Sequence, residues 1–379
     1  MGHIEKRYGN YRARYRDPLG RQHSKTFTRK ADAQRFLREM HVDVDRGRWL
    51  DPAGADMALE VWAEEFLRLA RRLSPSTQET YRRDLRRYIL AVFGAHRIGR
   101  MPADEIEHWL NDEIDAGFAP SSVHRHYRTL RRMLQVAVEK EKIPVNPCDR
   151  VQPPRVPRRE MAFLSWEQAV DLAEAMTDRY RALIYLAVDS GMRWSELVGL
   201  RRARVDLRRR KVRVTEQLIR LEAGEWLRKE TKTAAGVRSI TISVATAEIL
   251  ADHIERFCEH GPDALVFRNK AGNPIISSSF WQNYFQPALR VAELSCRFHD
   301  LRHTSVALAI AGGAHPKAIQ TRMGHSSINV TLDRYGHLFP ELDEAIAVSF
   351  SERLAEARRA HRDKAVVLRP DFRGRPGSA

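Results

Sequence analysis

The side chains that could do chemistry in this chain are concentrated in its second half. Tyr335 lies ten residues after His325, and the sequence His-Asp-Leu-Arg-His at 299–303 precedes both. Further upstream, Arg193 lies within the sequence Gly-Met-Arg-Trp-Ser-Glu-Leu at 191–197. A phenol, two guanidinium groups and several imidazoles, gathered without a complete set of metal ligands, indicate chemistry on a phosphodiester.

Attack at the phosphorus of a phosphodiester puts negative charge on the non-bridging oxygens, and preorganised cations stabilise that charge. Arg193 and Arg302 suit this role because a guanidinium stays charged and can bind two oxygens at once. His299 and Arg302 are spaced i and i+3, so we expect both to project from one helical face. His299 and His303 also have the spacing of zinc ligands, but Arg302 would place a permanent cation beside the metal.

These residues, in this order, resemble the tyrosine recombinase (phage integrase) family. The family's pattern is an Arg in a G-L/M-R-x-S-E-L turn, a Lys in a β-hairpin, H-x-L-R on a helix, a Gly-His, and a Tyr about ten residues later; each part can be matched here. The resemblance implies strand cleavage and rejoining through a 3′-phosphotyrosyl intermediate. It assigns these catalytic residues: Arg193, Lys232, His299, Arg302, His325 and Tyr335.

Within that resemblance, Tyr335 is the nucleophile and Lys232 the general acid for the leaving 5′ oxygen. A phenol has a pKa of about 10, so forming the phenolate near neutrality needs about 4 kcal/mol of help, part of which the arginines supply. The phosphotyrosine bond would keep the energy of the broken bond, so no ATP, metal or other cofactor is expected. Lys229 lies close enough in sequence to be an alternative general acid, and Glu196 could form an ordinary helical ion pair with Arg193.

Length and composition indicate the number of domains and the kind of partner. A chain of 379 residues suits two or three domains. Its 65 Lys and Arg against 49 Asp and Glu give a net charge of +16, which favours nucleic acid as the partner. We find no membrane-spanning apolar run and no secretory signal, and therefore expect a soluble protein of the bacterial cytoplasm, associated with the nucleoid. Three widely separated cysteines argue against a disulfide framework.

The first fifty residues predict a small three-stranded sheet covered by a helix. Residues 11–16 alternate at period two, a turn follows at 17–20, and we expect a strand over 21–27 and a helix over 29–45. The residues expected in the covered aromatic core are Tyr11, Tyr15, Phe27, Phe36, Leu37 and Met40. Arg12, Arg14 and Arg16 would point outward and contact DNA in a major groove, the alternative being a solvated sheet edge.

Residues 58–142 predict a helical domain. Its expected helices are Leu59 to Arg71, Ser76 to Val92, Ala103 to Ala116, and Ser121 to Lys142. Ser74 or Ser76, and Ser121, suit the N-cap positions. In the last helix we expect an apolar stripe of Tyr127, Leu130, Leu134 and Val138, with Arg125, Arg128 and Arg132 on the opposite side. That side, with Arg82, Arg83, Arg86 and Arg87, could follow a DNA backbone, and ordinary solvation stays an alternative.

Proline-rich sequence at 143–147 and 153–159 predicts an extended interdomain linker, which would let two DNA-binding bodies clamp a duplex. The rest is expected to be mainly helical, with a β-hairpin region over about 211–243. The fold class is therefore multidomain and mainly α with small β-sheets: an arm-type DNA-binding domain (1–54), a helical core-binding domain (58–150), a mixed α/β catalytic domain (158–361) and a basic flexible tail (362–379). After the nucleophile, Leu342, Ile346, Phe350 and Leu354 form an i+4 stripe that closes its own core or packs on a neighbouring protomer.

The predicted function is a site-specific recombinase that integrates, and could also excise, a mobile element of a phage or integrative element of actinobacterial type. The predicted partners are attachment-site DNA, three further copies of the chain and, as candidates, a host DNA-bending protein and an excision factor. The front unit favours an integrase over a chromosome-dimer resolvase. Two further candidate functions are a non-catalytic DNA-binding regulator and a type I topoisomerase.

Overall fold

The computed structural model describes residues 2–18, 20–45, 52–157, 160–230, 236–338 and 350–361. The chain divides into two compact units, Met1–Arg159 and Glu160–Ala379. Among the described residues, no helix combines the length and the apolar character needed to cross a bilayer.

A three-stranded antiparallel sheet begins the first unit, as predicted. Its strands, in spatial order, are β1 (His3–Arg7), β2 (Asn10–Arg16) and β3 (Gln22–Phe27), and helix α1 (Lys30–Asp45) follows. Ala13 and Tyr15 of the central strand are buried with Ala33 and Leu37 of α1, because alternate residues of a strand share one face. The aromatic alternation of the sequence therefore predicted the covered face correctly.

The remainder of the first unit is helical. Its helices are α2 (Pro52–Ala55), α3 (Leu59–Leu69), α4 (Pro75–Asp84), α5 (Leu90–Phe93), α6 (Ala103–Asp115) and α7 (Pro120–Glu139). The helix predicted over 76–92 is helical throughout, from Pro75 to Phe93, but it contains a π-helical segment, Leu85–Ile89, between α4 and α5. Ser74 caps α4 by accepting a hydrogen bond from the Thr77 N–H, as predicted. Ser121 is not a cap: α7 begins at Pro120, whose fixed φ suits the first helical position.

The proline-rich stretch is only partly a linker. Ile143, Cys148 and Val151 are buried in the core of the helical domain, and Pro147–Arg150 forms a 3₁₀ turn. The Tyr127 hydroxyl donates to the carbonyls of Cys148 and Val151, at 2.8 and 3.2 Å. The prediction of extended chain was therefore wrong for residues 143–147, because Ile143 is buried in the core of the helical domain and Pro147 begins the 3₁₀ turn.

The second unit opens with three helices and five short strands: α8 (Trp166–Glu174), α9 (Asp178–Ser190), α10 (Trp194–Val198), β4 (Val205–Asp206), β5 (Lys211–Val214), β6 (Glu216–Arg220), β7 (Trp226–Glu230) and β8 (Arg238–Thr241). The predicted single hairpin region is two structures, a sheet of order β4-β5-β8 and a separate hairpin of β6 and β7. Helix α9 packs against α8 and against two later helices, and residues on all its sides are buried.

The later elements are α11 (Val244–Phe257), α12 (Ser277–Phe280), α13 (Gln286–Val291), α14 (Asp300–Ala311), α15 (Pro316–Met323), α16 (Asn329–Tyr335) and a helix, α17, over 350–361. A π-helical segment, Trp281–Phe285, joins α12 to α13. Of the predicted i+4 stripe, Leu342 and Ile346 lie outside the described residues, as does the predicted tail at 362–379. Phe350 and Leu354 of α17 are 69% and 61% exposed, which disfavours a role in this chain's own core.

Candidate active site

A tight turn after α9 sets the position of Arg193. Gly191 ends the helix with a φ of 63°, a conformation that glycine adopts without strain. A Cβ at this position would lie 2.4 Å from the Met323 Cε atom and 3.0 Å from the Ser305 hydroxyl. The backbone therefore turns directly against α14 and α15, and it brings Arg193 to the junction of three helices.

Glu196 forms hydrogen-bonded ion pairs with two arginines, Arg193 and Arg238. Its carboxylate accepts from the Arg193 backbone N–H at 2.8 Å and from Arg193 Nη1 at 3.0 Å. It also accepts from Arg238 Nη1 at 3.1 Å and Nη2 at 2.9 Å. Burial raises the pKa of Glu196, but the hydrogen bonds and charge of Arg238, and then Arg193, bring it below the ordinary value. The expected ion pair thus exists, yet the Arg193 side chain is 41% exposed and open to a ligand.

Arg238 is a buried residue of the site that sequence reasoning missed. Besides Glu196, it donates to the Arg322 carbonyl at 2.7 Å and to the Gly236 carbonyl at 3.2 Å. One guanidinium thus connects α10, the end of α15 and the start of β8. The sequence carried a signal, because Arg238 alternates with Ile240 and therefore had to share the buried face of β8.

Arg238→Met is expected to lower the free energy of unfolding by about 3 kcal/mol or more, because a buried carboxylate loses its main partner. Urea unfolding followed by tryptophan fluorescence would measure the change. Arg209→Met, at a largely exposed arginine, is the matched control and should change little. Equal stability of the two variants would contradict the structural role of Arg238.

Arg302, near the start of α14, is buried and connects two backbone segments. Its Nη1 donates to the Gly191 carbonyl at 2.5 Å, and its Nη2 donates to the Met323 carbonyl at 2.7 Å. Burial, and then the charge of Arg193, lower the pKa of Arg302 to about 9, so the group remains cationic at neutral pH. Arg302 therefore ties the turn that carries Arg193 to the end of α15.

His325 follows directly on that end of α15. Gly324 terminates the helix with a φ of 66°, and His325 Nδ1 lies 2.9 Å from the Thr331 hydroxyl of α16. Burial, together with the charges of Arg302 and Arg193, lowers the pKa of His325 to about 4. The imidazole is therefore neutral near pH 7, in surroundings with an excess of positive charge.

Tyr335 is the last residue of α16 and is only 1% exposed. Its ring packs with Val306 and Ile310 of α14 and with Met323 of α15. Its hydroxyl lies 2.5 Å from Nδ1 of His303, the residue after Arg302. Burial raises the pKa of Tyr335, and the charges of Arg302 and Arg334 offset part of the rise.

The two histidines of the 299–303 sequence differ in environment. His299 occupies the N-cap position of α14 and is exposed, whereas His303 is buried in the first turns of the helix. Their ring centroids lie 5.0 Å apart with the planes at 90°. Sequence reasoning considered His303 only as a zinc ligand and missed its contact with Tyr335.

The expected general acid is Lys232. Lys232 belongs to residues 231–235, which lie outside the described residues. Lys229, the alternative, is half-buried on β7, opposite Gln217 of β6. Through their shared contacts and charges, the structure brings together Arg193, His299, Arg302, His325 and Tyr335.

In the helical domain, α4 and α7 present a basic concave surface lined by Thr80, Tyr81, Arg125, Arg128, Thr129, Arg131, Arg132 and Gln135. The side chain of Arg125 lies 3.2 Å from the buried Asp84 carboxylate, and Arg132 pairs with Glu139 at 2.8 Å. Arg128 is exposed on the same helix, as are Arg82 and Arg86 on the neighbouring segment. Arg131, which the sequence analysis did not single out, belongs to this surface too.

The outward arginines of the N-terminal sheet have partners on the sheet. Arg14 pairs with Glu5 at 2.9 Å, and Arg12 donates to the Ser24 hydroxyl at 3.1 and 2.9 Å. Arg16 is exposed. Exposed ion pairs contribute little, so a phosphate could replace the partners at small cost.

Comparison with protein families gives three matches in chain order. The "Phage integrase, N-terminal domain" matches residues 1–46, the "Phage integrase, N-terminal SAM-like domain" matches 63–141, and the "Phage integrase family" matches 162–341. The prophage phiRv2 integrase of Mycobacterium tuberculosis is 29% identical over 359 residues, which cover 92% of this chain and 94% of that protein. The integrase of Mycobacterium phage D29 is 25% identical, over 91% of this chain and 95% of its own.

Solved structures show the same fold. The Tn1549 transposon integrase in complex with a circular intermediate DNA has a TM-score of 0.67 at 21% identity, over 79% of this chain and 99% of that one. A lambda integrase tetramer bound to a Holliday junction has a TM-score of 0.54 at 19% identity, over 86% and 95% of the two chains. Since the three matched regions follow one another as the parts of a single integrase do, this chain belongs to the phage integrase family of tyrosine recombinases.

Proposed function

We propose that Tyr335 is the nucleophile of this site-specific recombinase, and that Arg193 and Arg302 bind the phosphate it attacks. The recombinase integrates a mobile element by cutting and rejoining DNA strands. The observation that carries the residue assignment is the pair of hydrogen bonds from Arg302 to the Gly191 and Met323 carbonyls. These bonds draw the turn of Arg193 and the segment of His325 to one place, beside the helix that ends at Tyr335.

In this mechanism the Tyr335 hydroxyl gives its proton to solvent as its oxygen forms a bond to phosphorus, while the bond from phosphorus to the 5′ oxygen breaks. Lys232, or Lys229, gives the leaving oxygen its proton and regains one from solvent, and the 3′ phosphate stays on the tyrosine. The 5′ hydroxyl of another strand reverses the step. Because one phosphodiester replaces another, the exchange needs no external energy source.

The electrostatics of the site favour an anion. Arg193 lowers the pKa of Arg302, and both arginines lower the pKa of His325, so the positive charges of the site repel one another. A phosphate between them would relieve this repulsion, and the charge that develops in the transition state would relieve it further. His299, exposed beside Arg302, and His325 would complete the contacts to the non-bridging oxygens.

We further propose that four copies act together on two duplexes. The lambda integrase of known structure is a tetramer on a Holliday junction. In this chain, the exposed Phe350 and Leu354 of α17 offer an apolar seam for a neighbouring copy. The N-terminal sheet would contact the arm-type sites. The surface formed by α4 and α7 would contact the core-type sites. A host DNA-bending protein and an excision factor are candidate partners, in the cytoplasm at the nucleoid.

The test is incubation of the protein with a nicked duplex that carries its element's junction sequence, followed by a denaturing gel. When the nick lies close to the cleavage site, the short fragment that carries the released 5′ hydroxyl diffuses away. The strand then cannot be rejoined, and the covalent adduct accumulates. We expect an adduct that protease removes. DNA binding without any adduct would favour a non-catalytic regulator, and relaxation of supercoiled DNA that lacks the site would favour a topoisomerase.

Arg128→Gln is expected to weaken binding to any duplex and to reduce the slope of log Kd against log salt concentration by about 1, because one phosphate contact is lost. Fluorescence anisotropy at several salt concentrations measures both quantities. Arg209→Gln, at an exposed arginine outside the predicted DNA surfaces, serves as the control. An unchanged slope would show that Arg128 does not face the backbone.

A further inference from the structure

The contact between His303 and Tyr335 is not part of the mechanism given above. Nδ1 of His303 and the Tyr335 hydroxyl lie 2.5 Å apart, and both side chains are buried. The family resemblance assigned no role to His303, which the sequence suggested only as a zinc ligand. A buried phenol and a buried imidazole at this distance form a hydrogen bond whose loss would leave two polar groups unsatisfied.

Both partners of this hydrogen bond are uncharged, and the tautomer of the imidazole sets its direction. Burial, and then the charge of neighbouring groups, lower the pKa of His303 to about 4, so the ring is neutral. Burial raises the pKa of Tyr335 above its ordinary value, so the phenol keeps its proton. In the tautomer that carries its proton on Nε2, the neutral ring presents Nδ1 as an acceptor, and the Tyr335 O–H donates to it. The lowered pKa of His303 and the raised pKa of Tyr335 both oppose full proton transfer from the phenol to the imidazole.

The positions of α14 and α16 indicate what the contact does. His303 follows Arg302 on α14, so the imidazole and the phosphate-binding guanidinium share one rigid turn. Tyr335 lies at the end of α16, a helix of seven residues. A second hydrogen bond, between the Thr331 hydroxyl and Nδ1 of His325, ties the same short helix to the site. Misplacement of a reacting atom by about 1 Å can reduce a rate about 10²-fold, so anchoring the phenol matters for catalysis.

We propose that His303 is a positioning residue: by accepting the hydrogen bond of the Tyr335 hydroxyl, it fixes the nucleophile relative to Arg302. This inference rests on the proposed function of Tyr335. The side chain acts as an acceptor at a set place, and its basicity is not required. An amide oxygen at the position of Nδ1 would therefore serve the same purpose.

The experiment compares His303→Leu with His303→Asn in the full-length protein. Leucine fills the space without an acceptor, whereas the asparagine Oδ1 atom can occupy the position of the imidazole Nδ1. The measured quantities are the rate of adduct formation at saturating nicked DNA and the Kd for the same DNA. We expect His303→Leu to slow the reaction about 10²-fold with an unchanged Kd, and His303→Asn to stay within about threefold of the wild type.

His253→Leu is the matched control for loss of a buried histidine. His253 is buried in the same unit, and its Nε2 lies 2.9 Å from the Val266 carbonyl. That substitution should lower thermal stability without a selective effect on the rate of adduct formation. If His253→Leu slowed adduct formation as much as His303→Leu, the slower reaction would be explained by lost stability alone, and the proposal would be overturned.

Three further results would also overturn it. An Asn variant as slow as the Leu variant would mean that His303 must take the proton. A Leu variant faster than the wild type would mean that the hydrogen bond restrains the nucleophile. A Leu variant with the wild-type rate would mean that the contact is irrelevant. Failure of the wild type itself to form an adduct would instead refute the proposed function.

Discussion

Tyr335→Phe is expected to abolish the covalent protein–DNA adduct and to leave DNA binding intact. Phenylalanine retains the ring that packs with Val306 and Met323 but has no oxygen to bond to phosphorus. Because the hydrogen bond to His303 is lost as well, the free energy of unfolding should fall by about 1 to 2 kcal/mol. The adduct is measured on a denaturing gel with the nicked duplex, and binding by anisotropy with an intact duplex.

A second tyrosine in the same unit provides the control. The Tyr185 hydroxyl donates to Glu174 at 2.9 Å near the surface, and Tyr185→Phe removes that single bond. This variant should form the adduct at the wild-type rate. If Tyr335→Phe gave an adduct of undiminished yield, another side chain would be the nucleophile and the proposed mechanism would have to be abandoned.

The sequence predicted the chemistry better than the contacts that support it. Tyr335, His325 and the two arginines could be proposed because their types and order match the family's pattern. Their buried partners could not, since a side chain's neighbours depend on packing between distant segments. His303 is the example: its spacing from His299 suggested only a zinc site, and its contact with Tyr335 depends on the packing of α16 against α14.

Arg238 illustrates a different limit. The alternation with Ile240 places its side chain on the buried face of β8, which was readable from the sequence. Its partner, Glu196, was also noticed, but only as a neighbour of Arg193 at helical spacing. The two observations could not be joined without the structure, because 42 residues separate the ends of this hydrogen bond.

The predicted boundaries of helices and domains were wrong where two local rules compete. Ser121 is a good N-cap by type, but Pro120 one residue earlier is a better first helical residue. The proline-rich stretch after α7 excludes a helix, yet Cys148 and Val151 within it carry enough apolar surface to join the helical core. Prolines thus define where a helix cannot continue, but they do not define where a domain ends.

Arg302→Lys is expected to reduce the rate of adduct formation by about 10² to 10³-fold, the cost of removing one preorganised donor at a developing oxyanion. A lysine ammonium is a single point charge, so it cannot span the Gly191 and Met323 carbonyls as the guanidinium does. At least one buried carbonyl would lose its partner, and we expect about 1 to 3 kcal/mol of lost stability as well.

Arg193→Lys separates these two effects. The Arg193 side chain is half-exposed and bonds only to Glu196 among the contacts described, so the substitution should slow the reaction with a much smaller loss of stability. Rates at saturating nicked DNA, set beside urea unfolding of each variant, give the comparison. A stable Arg193→Lys with a slow reaction would show that catalysis needs the guanidinium itself. An Arg302→Lys protein that is destabilised but reacts at the normal rate would confine Arg302 to a structural role, because its charge would then not reach the phosphate.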